Sequence, residues 1–254
     1  MNSIELHRSF QKLGLKKDDL VLIHGDAIVS TQLNIKNFDN DPLNFFLNSL
    51  IDYFYTHGTI VVPSFSYNMN EKNVFDKDRT KSQVGLFSER FRKKKNVIRS
   101  NHPIFSVCAI GKNSKILTNY DLSDCFGKNS FFDIFTKMNG KILTLGCSLE
   151  KGGTYFHYLE QYYGVSYRFI KKFSCAYRKK KKIKKKKIKY YVRHLDKNAV
   201  LDLKYFIPKV RNIIKFTNFG RFKFQLYESQ KLLKASKKLL KKYPNILIGD
   251  KVKV

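Results

Sequence analysis

The sequence predicts an α/β fold with a basic C-terminal region. Short apolar runs bounded by glycine recur through the first 150 residues, as buried strands do. Segments with helical spacing alternate with them. After residue 165 the composition turns strongly basic. The chain has 254 residues, enough for one large core. It reads as a single domain, with residues 1–165 as its core and residues 166–254 as a basic remainder.

Taken in order, residues 3–13 have helical spacing, with Ile4, Phe10 and Leu13 apolar, and stop at Gly14. Asp19-Leu20-Val21-Leu22-Ile23-His24 reads as a buried strand closed by Gly25-Asp26. Residues 42–56 read as a helix with Leu43, Phe46, Leu47, Leu50 and Phe54 on one side, ended by Gly58. A second strand over 58–65 leads into a polar loop at Tyr67. Residues 68–82 are loop-like, and 85–93 form a short helix. Residues 105–110 and 140–146 are further strands. After a loop over 147–153 comes a helix over 154–163, with Thr154 as its N-cap and Gly164 as its stop. Residues 169–192 alternate basic with apolar or aromatic residues, which fits a strand pair around a lysine run. Residues 202–215 are mostly helical in pattern, though Pro208 must break or kink them. Residues 219–227 are strand-like, and 228–241 form a Lys-rich helix. The chain shows no internal repeat and no flexible linker.

Hydrophobic residues make up 43% of the chain, which excludes global disorder. The formal charge of +30 draws toward nucleic acid, an anionic membrane surface or an anionic small substrate. Much of the excess lies in one stretch over 168–189, which is densest from Arg178 to Lys189. Contact with phosphates or an anionic membrane and a solvated charged loop are both open readings of that run. A general drift toward lysine is a third, since Lys93-Lys94-Lys95 and Lys237-Lys238 lie elsewhere. Tyr177, Tyr190 and Tyr191 near the run are not arranged as an RNA-binding motif, which argues against nucleic acid. The four cysteines form no C-x-x-C pair, and no disulfide framework or zinc site is expected. The opening MNSIELHRSF has no apolar signal core, and no apolar run approaches a membrane span. A cytoplasmic protein is expected, with peripheral attachment at the inner membrane face left open.

The strongest local feature is Gly152-Gly153-Thr154-Tyr155-Phe156-His157-Tyr158-Leu159-Glu160. A glycine-rich loop follows a buried strand and opens a helix, which is where α/β sheets hold ligands. His157 and Glu160, three apart, share a helix face. A carboxylate beside an imidazole raises its basicity and orients it, as a general base requires. A helix-surface histidine near a glutamate with no role has the same pattern. Asp26, after His24-Gly25, suits a cationic amine or a hold on His24; Gly25-Asp26 equally suits a plain turn. In Arg99-Ser100-Asn101-His102-Pro103 the proline biases His102 toward an extended loop conformation. Lys81-Ser82-Gln83-Val84-Gly85-Leu86 precedes a helix, where backbone amides cradle phosphates.

The order of these blocks resembles the aminoglycoside 3-N-acetyltransferase family. The matching pieces are Gly14-Leu15 leading to Leu20-Val21-Leu22-Ile23-His24, then the run from Gly58 through Tyr67, then Phe75-Asp76. Ser82-Gln83-Val84-Gly85-Leu86-Phe87-Ser88-Glu89-Arg90-Phe91-Arg92 follows, then Val97-Ile98-Arg99-Ser100-Asn101-His102-Pro103-Ile104-Phe105-Ser106. The series closes with Gly140-Lys141-Ile142-Leu143-Thr144-Leu145-Gly146 and Thr154-Tyr155-Phe156-His157-Tyr158-Leu159-Glu160. The resemblance is dense over 13–163 and faint beyond.

It implies a three-layer α/β/α sandwich with a central mixed sheet, and direct transfer of an acetyl or related acyl group from acetyl-CoA to a sugar amine. It implies His157 as catalytic base with Glu160 as its partner. Around the coenzyme it places His24, Gly25, Asp26, Ser82, Gln83, Val84, Arg99, His102 and Ser106. Around the acceptor it places Asp26, Tyr67 and Asn68. No metal and no covalent acyl-enzyme are expected, and a homo-oligomer is compatible with it. Two departures stand out. Family members often carry a small or hydroxyl residue where Gly25 stands, and the section after Tyr163, usually acidic, is here rich in lysine. A basic region repels a polycationic drug. The expected acceptor is therefore an amino sugar carrying a nucleotide diphosphate, in surface-polysaccharide or glycan synthesis. An aminoglycoside drug is the alternative acceptor, and a basic nucleic-acid-binding protein the alternative from another class.

Overall fold

The computed structural model describes residues 1–34, 41–54, 57–197 and 199–249. Helix α1 (Ser3–Lys12) starts on a capping box, in which the Asn2 side chain and Glu5 satisfy each other's backbone amides. Strand β1 (Leu20–Gly25) is buried over its first four residues. A 3-10 turn (Ala27–Gln32) follows, capped by Asp26, and then α2 (Pro42–Phe54). The last two residues of the helix expected over 42–56 lie outside the described residues. Strand β2 (Thr59–Pro63) is buried throughout. The expected loop over 68–82 contains the two-residue strand β3 (Val74–Phe75). Next come α3 (Leu86–Arg92), β4 (Ile98–Arg99) and β5 (Val107–Gly111). Two short helices that the sequence did not signal follow, α4 (Ser114–Thr118) and α5 (Phe131–Lys137). Strand β6 (Lys141–Leu145) then leads to α6 (Thr154–Tyr163).

The basic remainder begins with a long hairpin, β7 (Arg168–Lys179) and β8 (Lys182–Arg193). The lysine run is therefore mostly strand, not a free loop. It stays paired because alternate residues, Cys175, Tyr177 and Ile188 among them, bury one face. Helix α7 (Phe206–Lys209) and a 3-10 turn (Arg211–Ile213) are all that forms of the helix expected over 202–215. The chain closes with β9 (Lys215–Phe219), β10 (Phe222–Glu228) and α8 (Ser229–Lys242).

Seven strands form the main sheet in the order β4-β5-β2-β1-β6-β10-β9. Strands β2, β1 and β6 run parallel, and the outer neighbours are antiparallel. Because side chains alternate across a strand, each strand feeds two cores. Val21, Ile23, Ile60, Val62, Leu143 and Leu145 pack with α1, α2 and α3 on one face. Leu22, Val61, Val107 and Ile142 pack with α4, α5, α6 and α8 on the other. This is the expected three-layer α/β/α sandwich. The C-terminal part joins this sheet. Strand β10 pairs with β6 over Phe224 to Glu228, so the basic remainder completes the central sheet. The second sheet, β3-β7-β8, lies beside it. No described helix is long and apolar enough to cross a membrane.

Candidate functional site

The parallel strands β1, β2 and β6 end together, at Gly25, Pro63 and Leu145. A cavity of about 330 Å³ opens there. His24, Gly25, Asp26, Tyr67 and Val84 line it, together with Cys147, Lys151 and Thr154. Gly25 is required by its surroundings, because a Cβ there would lie 2.7 Å from the Phe87 ring. The Phe87 side chain therefore fills the space a small or hydroxyl residue would need. Gly152 is equally constrained, since its Cβ would lie 2.8 Å from Thr144 Cγ2 and 3.2 Å from His24 Cβ. The glycine-rich loop thus presses against β6 and β1, and this sets where α6 begins. Thr154 is not the N-cap. That position is Gly153, without a side-chain capping bond, and Thr154 is the first helical residue, facing the cavity. Gly164 ends the helix in the left-handed conformation, as expected.

A second cavity, of about 720 Å³, lies one turn further along α6, where His157 lines it. One face of the β7–β8 hairpin makes its floor, through Phe169, Lys171, Phe173, Tyr190 and Val192. The loop after β2 touches both cavities, with Tyr67 in the first and Met69 in the second. Tyr67 has a φ of 46°, a left-handed conformation that costs a non-glycine residue about 1–3 kcal/mol and concentrates at functional sites.

His157 Nδ1 lies 2.7 Å from Glu160 Oε2. Arg168 Nε lies 2.6 Å from the same oxygen. The Glu160 side chain is 0% exposed, Arg168 6% and His157 23%. Burial alone would raise the Glu160 carboxyl, but the hydrogen bond and charge of His157, with the charge of Arg168, outweigh it. The net result is a carboxyl held below its ordinary value. An ionised carboxylate only accepts hydrogen bonds, so Nδ1 carries the proton. Nε2 of His157 is then the basic nitrogen, on the ring that lines the second cavity. The Phe126 ring packs against the imidazole at 5.9 Å between centroids and fixes its plane. Arg168 carried no signal as a site residue in the sequence. Only the need of a fully buried glutamate for a cationic partner pointed to something of its kind.

The remaining expected residues separate into two groups. Ser82 and Gln83 shape the loop ahead of α3. The Ser82 amide donates to Glu89 Oε2 at 2.8 Å, and the Gln83 amide to the Phe65 carbonyl at 2.8 Å. Only Val84 of that trio reaches the first cavity. Arg99, His102 and Ser106 line neither cavity. Arg99 is buried and donates to Ser106 Oγ at 3.1 Å and to the carbonyls of Ser64, Lys77 and Thr80. Ser106 donates to the Ser64 carbonyl at 2.6 Å. His102 Nδ1 accepts from the amides of Ile104 and Phe105. Arg99 and Ser106 thus hold the exit of β2 at Ser64, and His102 holds its own turn. Asn68 donates to the Asn73 carbonyl and turns its own loop. Asp26 lines the cavity while its Oδ1 accepts from the Ile28 amide at 3.1 Å. Among the described residues no group of three or more His, Cys, Asp or Glu could hold a metal ion.

Burial lowers His24 to about 4 and, with Lys186 adding to it, His102 to about 3. Both are neutral at pH 7. Between the ordinary histidine value and those values the unfolded chain binds protons that the fold does not. Stability therefore rises with pH across that window and is lost as pH falls through it. The urea midpoint is expected to drop steadily from pH 7 to pH 4. His102→Gln should flatten that slope, measured against its own midpoint at pH 7. An unchanged slope would remove His102 from this account.

The model of the aminoglycoside 3-N-acetyltransferase family matches residues 29–241. The chain belongs to this family. The ordered blocks of the sequence pointed to it, and the match runs through the C-terminal part where the resemblance was faint. The SPbeta prophage-derived aminoglycoside N(3')-acetyltransferase-like protein YokD of Bacillus subtilis is 28% identical over 181 residues. That match covers 62% of this chain and 63% of the relative's length. Among solved structures, the crystal structure of YokD superposes with a TM-score of 0.76 at 21% identity, covering 94% of this chain and 98% of that one. AAC-IIIb, in a binary complex with CoASH, gives 0.77 at 18% identity, covering 95% and 97%. AAC-VIa bound to sisomicin gives 0.74 at 19% identity, covering 94% and 97%. These likenesses establish the fold shared with the family.

Proposed function

We propose that this protein is an acetyl-CoA-dependent N-acetyltransferase whose acceptor is the amine of an amino sugar. The observation that carries the reading is the His157–Glu160–Arg168 cluster, whose His157 and Arg168 line the larger of two cavities that the loop after β2 joins. The strand-end cavity takes the acyl end of the coenzyme, with His24, Gly25, Asp26 and Val84 as its contacts. The larger hairpin cavity takes the acceptor, with Tyr67 at the junction of the two.

A protonated amine has no lone pair to attack with. The ammonium proton goes to solvent, and His157 Nε2 takes a second proton from the nitrogen as the free amine bonds to the thioester carbonyl carbon, which leaves the amide nitrogen neutral. The carbon–sulfur bond then breaks, and the imidazolium returns its proton to the departing thiolate. Glu160 stabilises the imidazolium in between, and Arg168 keeps Glu160 ionised. Cys147 lines the strand-end cavity, but burial pushes its thiol up to about 11, which disfavours a covalent acyl-enzyme there.

Two acceptor classes have separate support. The solved neighbours are named for aminoglycosides, and one is bound to sisomicin, which favours a drug-like acceptor. The charge of +30 favours an anionic, nucleotide-linked amino sugar of glycan synthesis. Purified protein with acetyl-CoA and a panel of both classes should release thiol in step with one acetyl gained on the amine, followed by mass spectrometry. Thiol release with no amine in either class sinks the assignment.

A further inference from the structure

We infer that the acceptor bound in the hairpin cavity carries a phosphate group, and that Lys171 and Arg193 select it. This rests on the acetyltransferase reading above for the identity of the reacting amine. No aspartate or glutamate lines the cavity among the described residues, whereas Arg168, Lys171, Arg193 and the two histidines His157 and His194 do. Arg168 is already spoken for by Glu160. Lys171 and Arg193 are exposed, and neither forms an ion pair among the described residues. Lys171 only rests over the Phe173 ring, 5.4 Å from its centroid.

The hairpin register places these charges relative to the base. Arg193 is the cross-strand partner of Arg168, and Lys171 is the partner of Tyr190. Like charges directly opposite on a sheet repel. Glu160 neutralises one side of the Arg168–Arg193 rung, and the other side faces the cavity unneutralised. Three residues of strand separate Arg168 from Lys171, about 10 Å. On that register Arg193 sits beside Arg168 at the Glu160-bound end of the site, and Lys171 about one sugar ring away from it. An arginine fork and a lysine ammonium each suit a tetrahedral oxyanion, Arg193 for one at the Glu160 end of the acceptor and Lys171 for one a ring away. The same lining repels an acceptor with several ammonium groups, so selection works by exclusion as well as attraction.

Phe169 and His194 extend the cavity with an apolar wall, their ring centroids 4.6 Å apart. Val192 and Leu201 continue it. Such a wall has room for whatever the phosphate is esterified to. A bare sugar phosphate and a nucleotide-linked sugar share the chemistry that Lys171 and Arg193 read, and the test separates them.

The experiment compares glucosamine, glucosamine 6-phosphate, uridine-diphosphate glucosamine and sisomicin as acceptors. It uses the wild-type chain and the double variants K171E/R193E and K171Q/R193Q. Thermal unfolding checks that each variant folds. In the wild type the phosphate should raise kcat/KM over glucosamine by about tenfold to a hundredfold, as charge-assisted hydrogen bonds do. That ratio should collapse toward one in both variants, and 0.5 M salt should shrink it in the wild type. A further gain with the uridine-diphosphate sugar assigns the apolar wall to the nucleotide, and no further gain assigns the site to a simple sugar phosphate. Either supports the inference. Calorimetric binding of glucosamine 6-phosphate is measured on the same proteins without acetyl-CoA. Phosphate-dependent binding lost in the variants, with no thiol release for any amine, sinks the acetyltransferase reading and leaves the phosphate site standing. Turnover of sisomicin at or above the phosphate esters, with variants indistinguishable from wild type, overturns the phosphate site and leaves the reaction standing. Equal binding by variant and wild type overturns it as well.

Discussion

His157→Ala is expected to lower kcat by about a thousandfold, within the range that one positioned general base contributes. The loss corresponds to about 4 kcal/mol of barrier. Affinity for coenzyme A should change less than kcat by orders of magnitude, because His157 lies outside the strand-end cavity. The fold should survive, since the ring is partly exposed and its main packing partner is Phe126. Single-turnover kinetics with calorimetric coenzyme binding separates the two effects. Near-normal turnover in the variant would remove the base from the mechanism. Weakened coenzyme binding at unchanged kcat would instead move His157 to the coenzyme side of the site.

Glu160→Gln should be costly in two independent ways. Arg168 is left buried without a counter-charge, and breaking such a pair costs about 3–5 kcal/mol. For a chain of this size that is a fall in Tm of about 10 °C. The glutamine oxygen still accepts from His157 Nδ1, so the ring stays oriented, but the imidazolium loses its negative neighbour. Turnover should fall by about tenfold to a hundredfold, the worth of a hydrogen bond to a charged group. Adding Arg168→Met removes the stranded charge. The double variant should regain most of the lost Tm, because an apolar replacement of a buried pair is often neutral, yet none of the lost turnover. A double variant as unstable as the single one would mean that Arg168 does not depend on Glu160. Recovery of turnover along with Tm would mean that Glu160 serves the fold and not the base.

Much of this was legible in the sequence because it is local. Residues 20–25, 59–63 and 141–145 announce themselves as buried strands by short apolar runs bounded by glycine, and His157–Glu160 by spacing along one helix. What was hidden depends on distance in the chain. Arg168 follows Glu160 only after the left-handed stop at Gly164, and the hairpin path that returns it to the helix leaves no periodic trace. Strand β9 falls between the helix expected to end at Lys215 and the strand expected from Phe219, and it gives no signal because it is an edge strand, with Lys215, Phe216 and Asn218 exposed and Phe219 alone fully buried. The aromatic run of α5 buries Phe131, Phe132 and Phe135, too short a stretch to reveal a period. The hairpin cavity is built almost wholly from residues 168–201, where likeness to the family was faintest. Arg99 shows a different limit. An arginine that clamps three carbonyls and one that meets a phosphate are spelled alike, and only the surrounding backbone tells them apart.

The pairing of β6 with β10 has a further consequence, for the making of the protein. Strand β6 leaves the ribosome with its parallel neighbour β1 already made, but its other edge stays bare until Phe224 to Glu228 are synthesised, some eighty residues later. During that interval the nascent chain holds an open strand edge and an apolar sheet face that Leu226, Tyr227 and α8 will later cover. The long hairpin that emerges in between is dense in lysine. Its mutual repulsion and strong hydration keep that stretch from stacking onto the waiting edge or onto another unfinished copy. The positive charge of the hairpin thus acts as a solubiliser for the half-made chain.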